Sequence, residues 1–175
     1  MRFEKVSFKQ FRDDMIKCGF EEEHLEEMYN NIQLPERSTK CSAGYDFRLP
    51  YRVFVNEGHS DLLPTGIKCM LDDDKVLMLY PRSSLGTKYG FRLLNTTGVI
   101  DADYYNNPKN EGHIMLKFEV DEEIDLATNE KIMQGIIMQY FKIDEDDVIE
   151  TRNGGFGSTN EVENKNEEGV ERNHG

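Results

Sequence analysis

The chain has 175 residues, the size of one ordinary domain, and 21 Lys plus Arg against 34 Asp plus Glu leave a net charge of −13. That balance argues against a protein that coats nucleic acid, because such affinity comes from neutralising phosphates. The charge is uneven, however: residues 13–27, 144–150 and 160–175 together carry −14 and the remainder +1, so an anionic ligand is not excluded.

The start, MRFEKVSFKQ, is charged from its second residue and lacks an apolar signal core, and the stretch Ile132 to Phe141 is too short to cross a bilayer. Cys18, Cys41 and Cys69 are odd in number and form no CxxC pair, so neither a disulfide framework nor a zinc site is encoded. These features predict a cytoplasmic protein with no membrane partner. Residues 7–18 place Phe8, Phe11, Met15 and Cys18 at helical spacing behind a Ser7 cap, and residues 21–32 repeat the pattern with Leu25, Met28, Tyr29 and Ile32. Two short helices are expected over residues 1–34, stopping before Pro35.

From Tyr45 the pattern changes to short runs rich in Val, Ile, Leu, Tyr and Phe: YDFRL, YRVFV, GIKCML, KVLMLY, FRLLN, HIMLKFEV and IMQGIIMQYF. Turn residues such as Pro50, Asn56, Gly58, Pro64, Gly66 and Pro81 separate them. No helix-length segments alternate with these runs, so an antiparallel all-β sandwich or barrel over residues 35–150 is expected, with a helical N-terminal extension. Beyond Ile149, the residues 151–175 hold one aromatic, Phe156, and two aliphatics, Val162 and Val170. Such a segment buries too little to offset its ordering entropy, which predicts a flexible arm over 151–160 and an acidic tail over 161–175.

Three segments carry candidate chemistry. PRSSLGTKYGFR at 81–92 contains Arg82, Lys88 and Arg92 with no acid, and the backbone around Ser83, Ser84 and Gly86 in a turn, with a forked guanidinium, suits phosphate oxygens. LLNTTGVIDADYYNN reads as a hairpin turning at Thr96 and Thr97, with Asn95 before, Gly98 after, and Asp101, Asp103 and Tyr104 following. The Asn95 amide complements an imide edge such as uracil's, and a tyrosine ring can pack on a sugar. RNGGFGST at 152–159 would let Phe156 lie on a base while Arg152, Ser158 and Thr159 hold phosphates. Taken singly, the first reads more readily as a surface turn and the second as a turn Asn beside solvated acids and a core Tyr, while the third could be a linker, though a linker has no need of Phe and Arg. His24, His59, His113 and His174 have no metal-ligand spacing and read as surface or core residues.

Together, AGYDF at 43–47, PRSSLG at 81–86, NTTGVIDADY at 95–104, KIMQGI at 131–136 and RNGGFGST at 152–159 resemble, in order and spacing, the five motifs of the trimeric dUTPase family. The resemblance spans roughly residues 35–160 and is closest to the clostridial and phage-type form. It implies a jelly-roll-like β fold, a homotrimer whose sites are built from three subunits, and hydrolysis of dUTP to dUMP and pyrophosphate with Mg2+. By the same resemblance Asp101 is the carboxylate that deprotonates the attacking water. Asp46 and Gln134 would meet metal-bound water or phosphate. Arg82, Ser83, Ser84 and Gly86 would hold phosphates, and Asn95 with the Gly98, Val99 and Ile100 backbone would read uracil. Tyr104 would pack on deoxyribose, and Arg152, Phe156, Gly157, Ser158 and Thr159 would close the site. Departures from the family pattern are Ser84 for glycine, Lys131 for arginine and Asn160 for glycine.

The nearest alternative, a dCTP deaminase, shares the fold but resembles a site with a catalytic Glu where HIMLKFEV has Lys117. A regulatory role is the other, since some phage-type dUTPases resemble partners of repressor proteins, and residues 1–34 or the insertion YNNPKNEGH could offer that surface.

Overall fold

A computed structural model describes residues 1–146 and 148; the expected arm and tail at 151–175 lie outside the described residues. Twelve strands and three α-helices form this part, so the all-β expectation holds.

Five strands make the largest sheet: β2 (Glu36–Arg37), β3 (Tyr45–Arg48), β12 (Lys131–Gln139), β7 (Lys75–Pro81) and β9 (Gly98–Ile100), hydrogen-bonded in that order. A second sheet runs β5 (Ser60–Pro64), β10 (Met115–Glu119), β8 (Arg92–Leu93), while β4 (Val53–Val55) pairs with β11 (Ile124–Leu126). All of these pairings are antiparallel. Alternation of apolar and polar residues aims one face of each strand inward: in β10, Leu116 and Phe118 are buried while Lys117 is exposed. Phe47, Leu77, Leu79, Leu116, Phe118 and Met133 belong to one continuous core.

The N-terminal segment differs from expectation in two ways. Arg2–Lys5 is a strand, β1, paired with β6 (Ile67–Met70), so the segment is not wholly helical. It also contributes Val6, Phe11, Met15, Leu25 and Ile32 to the same core. Its helices, α1 (Phe8–Lys17) and α2 (Leu25–Asn30), follow the predicted periodicity, and Ser7 caps α1 by accepting the Gln10 N–H at 3.1 Å.

Two further expectations are corrected. Residues 83–89 form a helix, α3 (Ser83–Tyr89), rather than an open turn. Leu85 is its buried anchor, and Gly90 ends it at φ 64°, where its N–H bonds the Gly86 carbonyl. Residues 94–97 do turn the chain, but the flanking strands are not a hairpin: β8 pairs with β10 and β9 with β7, so the turn carries the chain from one sheet to another. No helix among the described residues is long and apolar enough to cross a membrane.

Candidate active site

Strand pairing gathers three of the sequence segments on one face of the large sheet. Asp46 on β3 lies opposite Gln134 on β12, and Gln134 lies opposite Tyr80 on β7, one residue before Pro81. Residues directly opposite share a face. Lys131 is three positions from Gln134 and would point the other way in a regular strand, but the register shifts between Lys131 and Met133. This bulge buries both Ile132 and Met133 and returns Lys131 to the Asp46 face.

Asp46 is therefore surrounded by donors. Lys131 Nζ is 2.6 Å from Asp46 Oδ2, Ser38 donates to the same oxygen at 2.5 Å, and Arg82 lies 3.9 Å from Oδ1. Lys131 also donates to Ser38, which closes a three-membered network. Burial works to raise the carboxyl's pKa, yet the Lys131 and Ser38 hydrogen bonds and the Arg82 charge outweigh it and hold Asp46 below the usual carboxylate range. Gly44 is needed beside them because a β carbon there would sit 2.7 Å from Gln134 Oε1.

Arg82 occupies the position before α3, and Ser83 and Ser84 form its first turn, whose amides have no partner within the helix. Asp101 stands apart from this cluster. On β7, Ile100 is opposite Leu77, so Asp101 falls at the level of Val76, six residues from Arg82. At about 3.3 Å per residue the two are separated by about 20 Å within one chain. Asn95 is exposed in the turn before β9, and Thr96 beside it takes φ 65°, an uncommon backbone for a β-branched residue. Gly98 and Ile100 are buried in β9, with the Val99 side chain exposed between them.

Tyr104 departs most from the sequence reading. It is 2 % exposed, and its hydroxyl donates to the His113 carbonyl at 2.9 Å and accepts from Asn110 at 2.7 Å. A ring so enclosed presents no open face to a sugar; its contacts anchor the turn that follows Asp101. Ser38 and the support it gives Asp46 were not anticipated, because nothing in PERSTKCS distinguishes a site serine from a turn serine. Arg152, Phe156, Gly157, Ser158 and Thr159 lie outside the described residues.

Among the described residues no group of three or more His, Cys, Asp or Glu could hold a metal ion. A carboxylate already engaged by Lys131, Ser38 and Arg82 does not suit direct ligation. It does suit a magnesium ion that arrives on phosphates and keeps its own waters.

Residues 30–160 match the family described as dUTPase. The chain belongs to the dUTPase family. It is 44% identical over 132 residues to the deoxyuridine 5'-triphosphate nucleotidohydrolase of Lactococcus lactis, covering 73% of this chain and 88% of that one. The crystal structure of a dUTPase from Streptococcus mutans superimposes with a TM-score of 0.64 at 35% identity, over 82% of this chain and 99% of that chain. A dUTPase from phage phi11 of S. aureus, described with a structural Mg(II) ion, has a TM-score of 0.56 at 20% identity, over 69% of this chain and 92% of that chain, a likeness of fold alone. Lys117 is exposed on β10, opposite Leu62.

Proposed function

We propose that this dUTPase-family chain hydrolyses dUTP to dUMP and pyrophosphate in sites shared between copies of the chain in a homotrimer. The observation that carries the shared site is the separation of Asp101 from the Asp46, Arg82 and Gln134 cluster along β7. One chain holds a phosphate-binding half at one end of that strand and a water-directing carboxylate at the other. A threefold assembly brings unlike halves of neighbouring copies together, as heterologous ring contacts do.

In this reading Arg82, Ser83, Ser84 and the Gly86 backbone bind the triphosphate, with Lys131 keeping Asp46 ionised and aimed. Asp46 and Gln134 hold Mg2+ through its waters, and the ion supplies charge neutralisation on the phosphates. Asp101 orients and deprotonates the attacking water. Asn95 and the backbone of Gly98, Val99 and Ile100, on the edge strand of the large sheet, pair with uracil's imide edge, which cytosine would leave mismatched. Arg152, Phe156, Gly157, Ser158 and Thr159 cover the nucleotide.

The test is complementation. Arg82→Ala and Asp101→Asn are each inactive alone; unfolded together and refolded as a mixture, they form trimers in which about a quarter of sites receive an intact residue from each side. Recovery of about a quarter of wild-type pyrophosphate release supports shared sites. No recovery from folded, mixed trimers overturns sharing, and no release by wild type from dUTP overturns the reaction.

A further inference from the structure

Outside the site, the described interior holds a buried acid–histidine pair that the proposed chemistry does not use. His113 is wholly buried and Asp14 is 7 % exposed. The Gly66 N–H donates to His113 Nε2 at 2.8 Å, so Nε2 bears the lone pair and the ring proton lies on Nδ1, which donates to Asp14 Oδ2 at 2.7 Å. Gln10 donates to the same oxygen at 2.7 Å, and Lys17 lies 3.2 Å from the other. Asp14 belongs to α1, and His113 closes the insertion 105–113, two segments that the dUTPase motifs do not include.

The contacts run from this pair to Asp101. The His113 carbonyl accepts the Tyr104 hydroxyl at 2.9 Å, and the Tyr104 N–H bonds the Asp101 carbonyl at 3.2 Å in a single turn of 3-10 helix, Ala102–Tyr104. Gly112 presses on the same turn, since a β carbon there would sit 2.4 Å from the Tyr104 carbonyl oxygen. At the rim, Glu111 accepts from both the Ser7 hydroxyl and the Ser7 N–H, at 2.6 and 2.8 Å. The Tyr105 hydroxyl also donates to Glu4 at 2.6 Å, so the N-terminal segment grips the insertion at three points, and the insertion grips the turn that begins at Asp101.

We propose that Asp14 and His113 are positioning residues for Asp101, so that residues 1–34 and the insertion together set the angle of the water-directing carboxylate. This inference rests on the reading of Asp101 given above. A neutral imidazole clamped by a carboxylate on one side and a backbone amide on the other has a single orientation, and its main chain therefore offers Tyr104 a fixed acceptor. Misplacing a reacting group by about 1 Å costs up to about 100-fold in rate. The pair therefore acts on turnover more than on nucleotide binding.

The experiment measures kcat and KM for dUTP with Mg2+ for the full chain, well below each variant's own Tm. Asp14→Ala lowers kcat about tenfold or more and leaves KM within about twofold, and Asp14→Asn, which still accepts the His113 proton, restores most of the loss. If Asp14→Ala does not fold, Tyr104→Phe severs the next link with the ring kept, and the same fall in kcat is expected. A folded Asp14→Ala or Tyr104→Phe with wild-type kcat, whatever its Tm, overturns the positioning role and leaves the hydrolysis reading standing. Absence of turnover in the wild type overturns both.

Discussion

Lys131 Nζ lies 2.6 Å from Asp46 Oδ2 because a bulge at Ile132 turns the lysine onto the aspartate's face. Lys131→Met should leave a mostly buried carboxylate without its nearest cation. The lysine side chain is 25% exposed, so solvent softens the cost to about 1–2 kcal/mol. Urea unfolding should register that loss, and kcat/KM for dUTP should fall at least about tenfold, while Lys131→Arg keeps both near wild type.

The Asp46 carboxyl sets a pH dependence whose sign follows from its depressed pKa. Its ordinary value is 3.8, and the folded value lies below that. Its contribution to stability is complete above the ordinary value and is lost as pH falls through the folded one. The urea midpoint of the wild type should decline as pH falls below about 4, and Asp46→Asn should decline less steeply over the same span. Asp14 and Glu111 shift in the same direction, so the difference in slope between the two proteins is the informative quantity.

Gly44→Ala tests space rather than backbone. The added methyl would meet Gln134 Oε1 at 2.7 Å and Cβ at 3.3 Å, so the amide must swing away from the Asp46 face. The far end of a glutamine moves cheaply, and Tm should change little. The KM for dUTP should rise several-fold, and an unchanged KM would remove Gln134 from the site.

Thr96 occupies φ 65°, where a β-branched side chain is strained and asparagine is tolerated. Thr96→Asn should raise stability by about 0.5–1 kcal/mol, read as a higher Tm. A fall in Tm would mean that the threonine side chain makes a contact in the assembled protein worth more than the strain.

Several features were legible along the chain because they depend on neighbours in sequence. Helical spacing behind Ser7 and alternation in the strands survive in the structure, as do Asp46 and Gln134 on adjoining strands with Arg82 just past the end of the next. Misreadings arose where distant pairing overrode local pattern. Arg2–Lys5 has too few apolar residues to declare a strand, and only the open edge of Ile67–Met70 makes it one. Residues 94–97 look like a hairpin loop in sequence, yet the strands they join find other partners.

The amino-acid sequence by itself determined the fold class and the family and put forward the candidate reacting groups, since periodicity and motif order are properties of a line of residues. Tertiary structure alone decided which of those groups meet. The bulge at Ile132 brings Lys131 to Asp46, the register of β7 holds Asp101 away from Arg82, and a buried histidine joins α1 to the turn after Asp101. Each is set by pairings between residues dozens of positions apart, where the free energy comes from burial and register and leaves no local mark on the chain.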